Sequence, residues 1–102
     1  MLVFATPVYW WGITAQMKLI IDKLYSRCEA LKETSKKVGI ITIGEAEQED
    51  PQYSLIAKQF ECICGYLGWE IVFCNTYSAG AVGDLAGDES AMAEIEGLWK
   101  NI

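Results

Sequence analysis

Residues 1–26 read MLVFATPVYWWGITAQMKLIIDKLYS, and their apolar residues change from the spacing of a strand to that of a helix. Met1–Thr6 is a short continuous apolar run that ends at a Thr-Pro break, which predicts a strand buried on both faces. Thr14 can cap a helix through its hydroxyl group. From Met17 onward the apolar side chains recur at helical spacing, as far as Glu33–Ser35. The stretch therefore predicts a strand, an aromatic loop and a helix, in that order.

Two further apolar runs have the composition of buried strands. Val38–Ile43 is rich in β-branched residues and stops at Gly44, and Glu70–Thr76 is the third such run. Strands that alternate with helices imply a parallel sheet with right-handed crossovers and helices on its faces. The predicted fold class is therefore α/β, with one domain over residues 1–102 and a three-stranded parallel sheet.

Helices are predicted after the second and third strands. Asp50 can cap the middle helix, Pro51 suits its first turn, and Gly68 is its predicted end. A glycine-rich loop, Ser78 to Gly87, leads to a last short helix with Asp88 as its cap. The predicted apolar faces are Leu55, Ile56, Phe60, Ile63, Cys64 and Leu67 in the middle helix, and Met92, Ile95, Leu98 and Trp99 in the last.

The charge and composition of the 102 residues exclude several functions. The net charge is −6, from fourteen acidic and eight basic residues, and no basic stripe is present to neutralise nucleic-acid phosphates. Acidity also disfavours binding to anionic membranes, and the apolar opening is too short to span a bilayer. Histidine is absent, which removes the commonest general base and the commonest metal ligand. We therefore expect no nucleic-acid partner, no membrane and no metal, and the sequence identifies no catalytic acid or base.

The four cysteines lie inside apolar periodic segments at Cys28, Cys62, Cys64 and Cys74. Free cysteine behaves there as a small hydrophobic residue, so we expect buried, reduced thiols and a cytoplasmic protein. Cys62 and Cys64 lie two apart on a predicted helix. Their side chains therefore face different directions and cannot share a metal.

The segment Thr6–Gly12 lies just past the carboxyl end of the first strand, where open α/β sheets bind ligands. Three consecutive aromatic residues, Tyr9, Trp10 and Trp11, are costly in an exposed loop and need a neighbouring surface or a flat ligand. An isoalloxazine ring is such a ligand. A subunit interface, in which tryptophan and tyrosine are enriched, is the other interpretation.

The segment Thr6–Ser26 resembles the flavin loop and following helix of flavodoxin-like NAD(P)H-dependent FMN reductases, especially the branch that includes iron–sulfur flavoproteins and quinone-reductase-like proteins. The Gly44 loop and the helix end at Tyr66–Trp69 also fit this family. The resemblance implies a three-layer flavodoxin-like fold and covers the second half of the family's domain, so the domain is predicted to be partial. The matching positions in the first segment are Thr6, Pro7, Tyr9, Trp10, Ala15, Gln16, Lys18, Ile21 and Asp22.

The resemblance also implies FMN as cofactor and NAD(P)H as electron donor. In the family, the loop that wraps the flavin phosphate lies in the half that the resemblance does not cover. Four acidic residues between Glu45 and Asp50 would repel a nicotinamide phosphate if they lay beside the flavin. The predicted cofactor-binding residues are Thr6, Pro7, Val8, Tyr9, Trp10, Trp11, Gly12 and Gly44.

Three functions remain open at this stage. The first is an FMN-dependent NAD(P)H oxidoreductase domain, truncated relative to its family, whose activity as an isolated chain is undecided. The second is a non-catalytic homodimer, because the edge of strand Met1–Thr6 is unpaired and a second copy would cover it. Tyr9, Trp10 and Trp11 would then lie at or near the contact. The third is a binding module that completes its sheet with another polypeptide.

Overall fold

The computed structural model describes residues 1–81 and 83–101. The predicted alternation of strands and helices is confirmed, and each predicted strand end lies within two residues of the observed one. The elements are β1 (Leu2–Pro7), α1 (Ala15–Tyr25), α2 (Cys28–Lys32), β2 (Lys37–Gly44), α3 (Pro51–Leu67), β3 (Glu70–Ser78), α4 (Glu89–Gly97) and a 3₁₀ turn (Leu98–Asn101).

The three strands form one parallel sheet in the order β1-β2-β3. Thr6 pairs with Thr42 in the register of β1 and β2, and Gly44 pairs with Ser78 in that of β2 and β3. The carboxyl ends of all strands therefore meet at one edge of the sheet. The predicted α/β fold with a three-stranded parallel sheet is correct.

Helices α1, α2 and α3 cover one face of the sheet. Their apolar side chains pack on Val38 and Ile40 of the central strand, both fully buried, and the ring of Phe4 packs on that of Phe60 with centroids 5.4 Å apart. Burial of each such side chain contributes about 1.5–3 kcal/mol. This face is the main core of the fold.

The opposite face is covered by α4 at the β3 side. Cys74 is the register partner of Ile40, which faces the main core, so the next residue, Asn75, faces the opposite side of the sheet. On that side the Asn75 amide donates to the carboxylate of Glu94 in α4. At the other side of the sheet, Val3 is 51% exposed and the outer edge of β1 has no neighbouring strand within residues 1–81 and 83–101. Strand β1 therefore combines an open edge with an exposed apolar face.

The predicted helix ends rest on local hydrogen bonds and backbone geometry. The side chains of Thr14, Asp50 and Asp88 accept hydrogen bonds from the first turns of α1, α3 and α4. Gly68 ends α3 in the left-handed conformation with φ 73°. These four predictions are confirmed. In the described part of the chain, no helix is both long and apolar enough to cross a membrane.

The first helix is not continuous, as its apolar spacing had suggested. It breaks after Tyr25, where the Ser26 hydroxyl donates to the carbonyl of Lys23 and the Arg27 amide donates to the carbonyl of Leu24. Both hydrogen bonds join a residue to the carbonyl three positions earlier instead of four, as in a 3₁₀ helix. They tighten the last turn of α1 and compete with the α-helical hydrogen-bond pattern. A second short helix, α2, then continues to Lys32.

The prediction of the buried face of α3 is wrong in part. Leu55 is 57% exposed, and Tyr53, which is 3% exposed, lies in the core instead. The buried face of α3 runs through positions 53, 56, 60, 64 and 67, a helical spacing that excludes position 55. Trp99 belongs to the predicted apolar face of the last helix, but its side chain lies outside the described part of the structure.

The cysteines are less buried than their apolar surroundings predicted. All four are free thiols, but Cys64 alone among them is buried, Cys28 is partly exposed, and Cys62 and Cys74 are exposed. Cys62 lies on the outer face of α3, and Cys74 lies on the edge strand β3. An apolar run therefore does not guarantee burial where the strand ends up at the border of the sheet.

Candidate functional site: a strained aromatic turn

A tight turn follows β1 at the carboxyl edge of the sheet. The amide of Tyr9 donates to the carbonyl of Gly12 over 2.9 Å, and the amide of Gly12 donates back to Tyr9 over 3.1 Å. Between them, Trp10 and Trp11 have φ values of 50° and 63°. Two successive positive φ values are typical of a type I′ turn, which normally takes asparagine or glycine. Each tryptophan in this conformation costs about 1 kcal/mol or more, and such strain is concentrated at functional sites.

The strained turn presents its aromatic rings to solvent. Trp10 is 90% exposed, and Tyr9 and Trp11 are 64% and 53% exposed. The two indole rings meet edge to face with centroids 5.3 Å apart. The strained backbone therefore holds the large, flat, apolar rings of Trp10 and Trp11 outside the core of the fold. Such surfaces suit a flat ligand or a second protein surface.

Buried hydrogen bonds hold the turn in place. Thr6 is 1% exposed, and its hydroxyl donates to the carbonyl of Pro7 over 2.8 Å and accepts from the amide of Thr14 over 3.3 Å. The amide of Val8 donates to the carbonyl of Ile43 over 2.9 Å. The turn is thus tied to β2 on one side and to the start of α1 on the other. Thr6 acts as a positioning residue for the aromatic side chains.

Gly44 is buried beneath the loop that follows β2. A Cβ atom at this position would lie 3.1 Å from two ring carbons of Tyr53, so the glycine leaves room for that ring. The Tyr53 hydroxyl donates to the carbonyl of Ala46 over 2.7 Å. Burial, followed by the charges of Asp50 and Glu47, raises the pKa of Tyr53. The sequence analysis missed Tyr53, although its helical spacing with buried residues on α3 was a usable signal.

An open groove of about 430 Å³ separates the aromatic turn from the loop after β2. The two sequence-predicted segments, the aromatic turn and the Gly44 loop, therefore face each other across one groove. Tyr9 and Gly44 flank it without lining it, and Gly12 closes the turn through Tyr9. The groove is lined by Val8, Trp10, Trp11, Glu45, Ala46 and Gln52.

The acidic run after Gly44 is divided between different surroundings. Glu45 lines the groove, whereas Glu47 and Glu49 line a separate polar cavity beside β3 and α4. Asp50 caps α3. The four carboxylates therefore do not line one common groove, because the loop turns them to different sides. In the described ranges, no three histidine, cysteine, aspartate or glutamate side chains are grouped so that they could hold a metal ion.

Comparisons with known proteins agree with this geometry. A family model described as NADPH-dependent FMN reductase matches residues 1–61, which include β1, the aromatic turn, β2 and all residues of the groove. The Bacillus subtilis protein YwqN, named as an NAD(P)H-dependent FMN-containing oxidoreductase, is 28% identical over 106 residues. That alignment covers 97% of this chain and 58% of YwqN.

Two solved structures share the fold. The Trp repressor binding protein from Bacillus subtilis superposes on 94% of this chain with a TM-score of 0.75, and the flavodoxin WrbA-like protein from Agrobacterium tumefaciens on 97% with a TM-score of 0.70. Both are 20% identical in sequence, and 62% of each of those chains is covered. The predicted flavodoxin-like fold is confirmed. This chain spans about three fifths of the length of the proteins that it matches.

Proposed function

Because this chain belongs to the NADPH-dependent FMN reductase family, we propose that it forms the isoalloxazine-facing part of an FMN-dependent NAD(P)H oxidoreductase domain. The observation that carries the proposal is the strained turn that holds Trp10 and Trp11 outward beside an open groove. When bound, FMN supplies the redox chemistry itself, which suits a chain without histidine.

We assign the groove to the ring portion of the cofactor. Val8 and the two indoles offer apolar surface against which a planar ring can pack. The loop that carries Glu45 and Ala46 forms the opposite wall. The role of these residues is to bind and orient the ring and to exclude water from one of its faces.

The amino termini of α3 and α4 do not offer an equivalent place for the phosphate group. An anion is favoured at a helix amino terminus, where backbone amides are free. The amino termini of α3 and α4, however, are capped by the carboxylates of Asp50 and Asp88, and Glu89 lies in the first turn of α4. These negative charges repel phosphate. In line with the family resemblance, we assign the ring contacts to this chain and the phosphate contacts to a part of the domain that these residues do not include.

The charge of the residues that line the groove affects the approach of the electron donor. Glu45 is the carboxylate of the acidic run that lines the groove, so one charge rather than four opposes an approaching nicotinamide phosphate. We propose transfer of electrons from NAD(P)H to an acceptor through FMN as the activity of the assembled domain. Four free cysteines agree with the reducing environment of the cytoplasm, which we propose as its compartment.

A fluorescence titration tests the flavin proposal. FMN emission is followed while the purified chain is added, because stacking on an indole quenches a flavin. We expect saturable quenching, which Trp10→Ala and Trp11→Ala each weaken several-fold. Tyr25→Ala is the matched control, since Tyr25 is an aromatic residue that is 78% exposed on α1, away from the groove. Quenching that is absent, or equal in all variants, would refute the assignment.

A homodimer through the edge of β1 is the second candidate. The outer edge of β1 has no neighbouring strand in the described sheet, and its sequence, LVFATP, contains no charged residue that would discourage pairing. Met1 and Val3 are 47% and 51% exposed. A second copy paired along this edge would also bring the aromatic turns of the two copies close to the contact.

Sedimentation at micromolar concentration tests the dimer. We expect the mass of two copies for the native chain and of one copy for Val3→Lys, because a lysine on the edge strand disfavours strand pairing. Leu19→Lys is the control, since Leu19 is 61% exposed on α1 and carries the same change of charge. A native chain that sediments as a monomer contradicts this candidate.

A further inference from the structure

Among the residues that line the groove beside the aromatic turn, Gln52 is the one that carries a side-chain amide group. It is the second residue of α3 and is partly exposed, so a molecule in the groove can reach it. An amide group offers hydrogen-bond donors at its nitrogen and an acceptor at its oxygen. The contribution of Gln52 to the groove therefore depends on how its amide is oriented.

The carboxylate of Asp50 fixes that orientation. The side-chain nitrogen of Gln52 donates to Oδ1 of Asp50 over 3.1 Å, and the backbone amide of Gln52 donates to the same oxygen over 3.0 Å. A carboxylate only accepts hydrogen bonds, so an amide turned the other way would bring two acceptor oxygens together. Asp50 is itself held in place as the cap of α3. The fold thus orients the Gln52 side chain before any ligand binds.

The carbonyl oxygen of Gln52 is left as an acceptor. Within residues 1–81 and 83–101, both hydrogen bonds of Gln52 to Asp50 use nitrogen donors, and no group donates to its side-chain oxygen. A ligand that donates to this oxygen has little side-chain entropy to overcome, because the amide is already fixed. The groove therefore favours a flat ligand with an N–H group at its edge.

Glu45 is the other side chain of the groove that could accept such a hydrogen bond. A Cβ atom on Gly80 would lie 3.2 Å from Cγ of Glu45 and 3.8 Å from its Oε1, so this side chain lies over the loop after β3. None of the salt bridges in the described ranges involves Glu45. Gln52 is therefore the better-oriented of the two acceptors.

We propose that Gln52 accepts a hydrogen bond from the N3–H group of a bound isoalloxazine ring and so selects a ligand with an imide edge. This inference rests on the proposed function. The oxidised ring carries one N–H group, at N3, between two carbonyl groups. The Gln52 oxygen matches that single donor, and the second hydrogen on the amide nitrogen can donate to a flanking carbonyl.

Paired titrations with lumiflavin and 3-methyllumiflavin, followed by flavin fluorescence quenching, test this contact on the full chain. The methyl group replaces the N3 hydrogen and leaves the ring flat. We expect the native chain to bind lumiflavin about tenfold more tightly than its methylated form, because the unpaired acceptor penalises the analogue. Gln52→Leu should bind the two flavins with equal affinity.

Gln48→Leu is the matched control for this substitution. It makes the same chemical change in the loop just before α3, but Gln48 donates to the carbonyl of Thr76 and lines the polar cavity on the other side of that loop. This variant should keep the native preference for lumiflavin. In NMR spectra, the side-chain amide signal of Gln52 should shift when lumiflavin binds, and that of Gln48 should stay in place.

The outcomes separate this contact from the flavin proposal. Equal affinity of the native chain for both flavins, or a preference that persists in Gln52→Leu, would overturn the role of Gln52 and leave the ring contacts of Trp10 and Trp11 intact. A preference that is lost in Glu45→Ala but kept in Gln52→Leu would identify Glu45 as the acceptor instead. A native chain that binds neither flavin would refute the proposed function together with this inference.

Discussion

A Cβ atom on Gly44 would lie 2.6 Å from the hydroxyl oxygen of Tyr53. No real Cβ atom approaches an oxygen so closely, so the glycine at the end of β2 and the tyrosine in the first turns of α3 are matched in shape. The same hydroxyl donates to the carbonyl of Ala46 and fixes the loop that forms one wall of the groove. Gly44 therefore shapes the proposed flavin site through packing beneath it.

Gly44→Ala is expected to destabilise the chain by about 1–3 kcal/mol, because the new methyl group overpacks the Tyr53 ring. Urea denaturation followed by circular dichroism measures the change. Gly65→Ala is the matched control: it lies inside α3 with open space around its Cβ position, and it should stabilise the chain by up to about 1 kcal/mol. Equal effects of the two substitutions would contradict the packing role of Gly44.

The turn at Trp10 and Trp11 should show opposite effects on stability and on ligand binding. Replacing the pair by Asn-Gly, the sequence that suits a type I′ turn, relieves two strained left-handed residues and is expected to raise the free energy of unfolding by about 1–2 kcal/mol. The same double variant should lose most of the flavin quenching. Thermal unfolding and the FMN titration provide the two readouts, and a double variant that is less stable than the native chain would show that the turn is not strained.

Thr6 and Thr42 are register partners on adjacent strands, and each is 1% exposed, but their hydroxyl groups differ in hydrogen bonding. That of Thr6 makes two hydrogen bonds, while that of Thr42 has no partner among the described residues. Thr6→Val should therefore cost about 1–3 kcal/mol, because it leaves the Thr14 amide unpaired. Thr42→Val should be neutral or stabilising. Urea midpoints of the two variants decide the matter, and a larger loss in Thr42→Val would contradict the hydrogen-bond assignment.

The stability of the chain should fall at alkaline pH, in part through Tyr53. Its pKa in the folded state is raised above the ordinary value of 10.0, first by burial and then by Asp50 and Glu47. The stability linked to this proton is fully present below pH 10 and is lost as the pH rises through the folded-state pKa. Tyr53→Phe should be about 1 kcal/mol less stable at pH 7, through loss of the bond to Ala46, and should show a shallower decline above pH 10. A decline as steep as that of the native chain would contradict this linkage.

The local elements were predictable from the sequence because each depends on neighbouring residues. The caps at Thr14, Asp50 and Asp88 need only a side-chain oxygen and a free amide two or three residues later. The parallel sheet follows from the alternation of strands and helices. The aromatic turn directly follows the first strand, so its position at the carboxyl edge of the sheet was predictable as well.

The remaining features depend on tertiary packing. Leu55 and Tyr53 both belong to α3, and only the direction in which that helix meets the sheet decides that the tyrosine is inside. Cys74 is exposed because β3 ends up at the border of the sheet, which the sequence of one strand does not reveal. The loop after β2 likewise separates Glu45 from Glu47 through its folded path, and tryptophan at positive φ contradicts ordinary turn preferences.

The most direct measurement compares the affinity of the purified chain for lumiflavin, which is the ring without ribityl phosphate, with its affinity for FMN. If this chain contacts the ring and leaves the phosphate to another part of the domain, fluorescence quenching should give two dissociation constants within about threefold of each other. Both should weaken together in Trp10→Ala. FMN that binds a hundredfold more tightly than lumiflavin would show that this chain also holds the phosphate, and lumiflavin that does not bind at all would show that the aromatic turn is not the flavin wall of this chain.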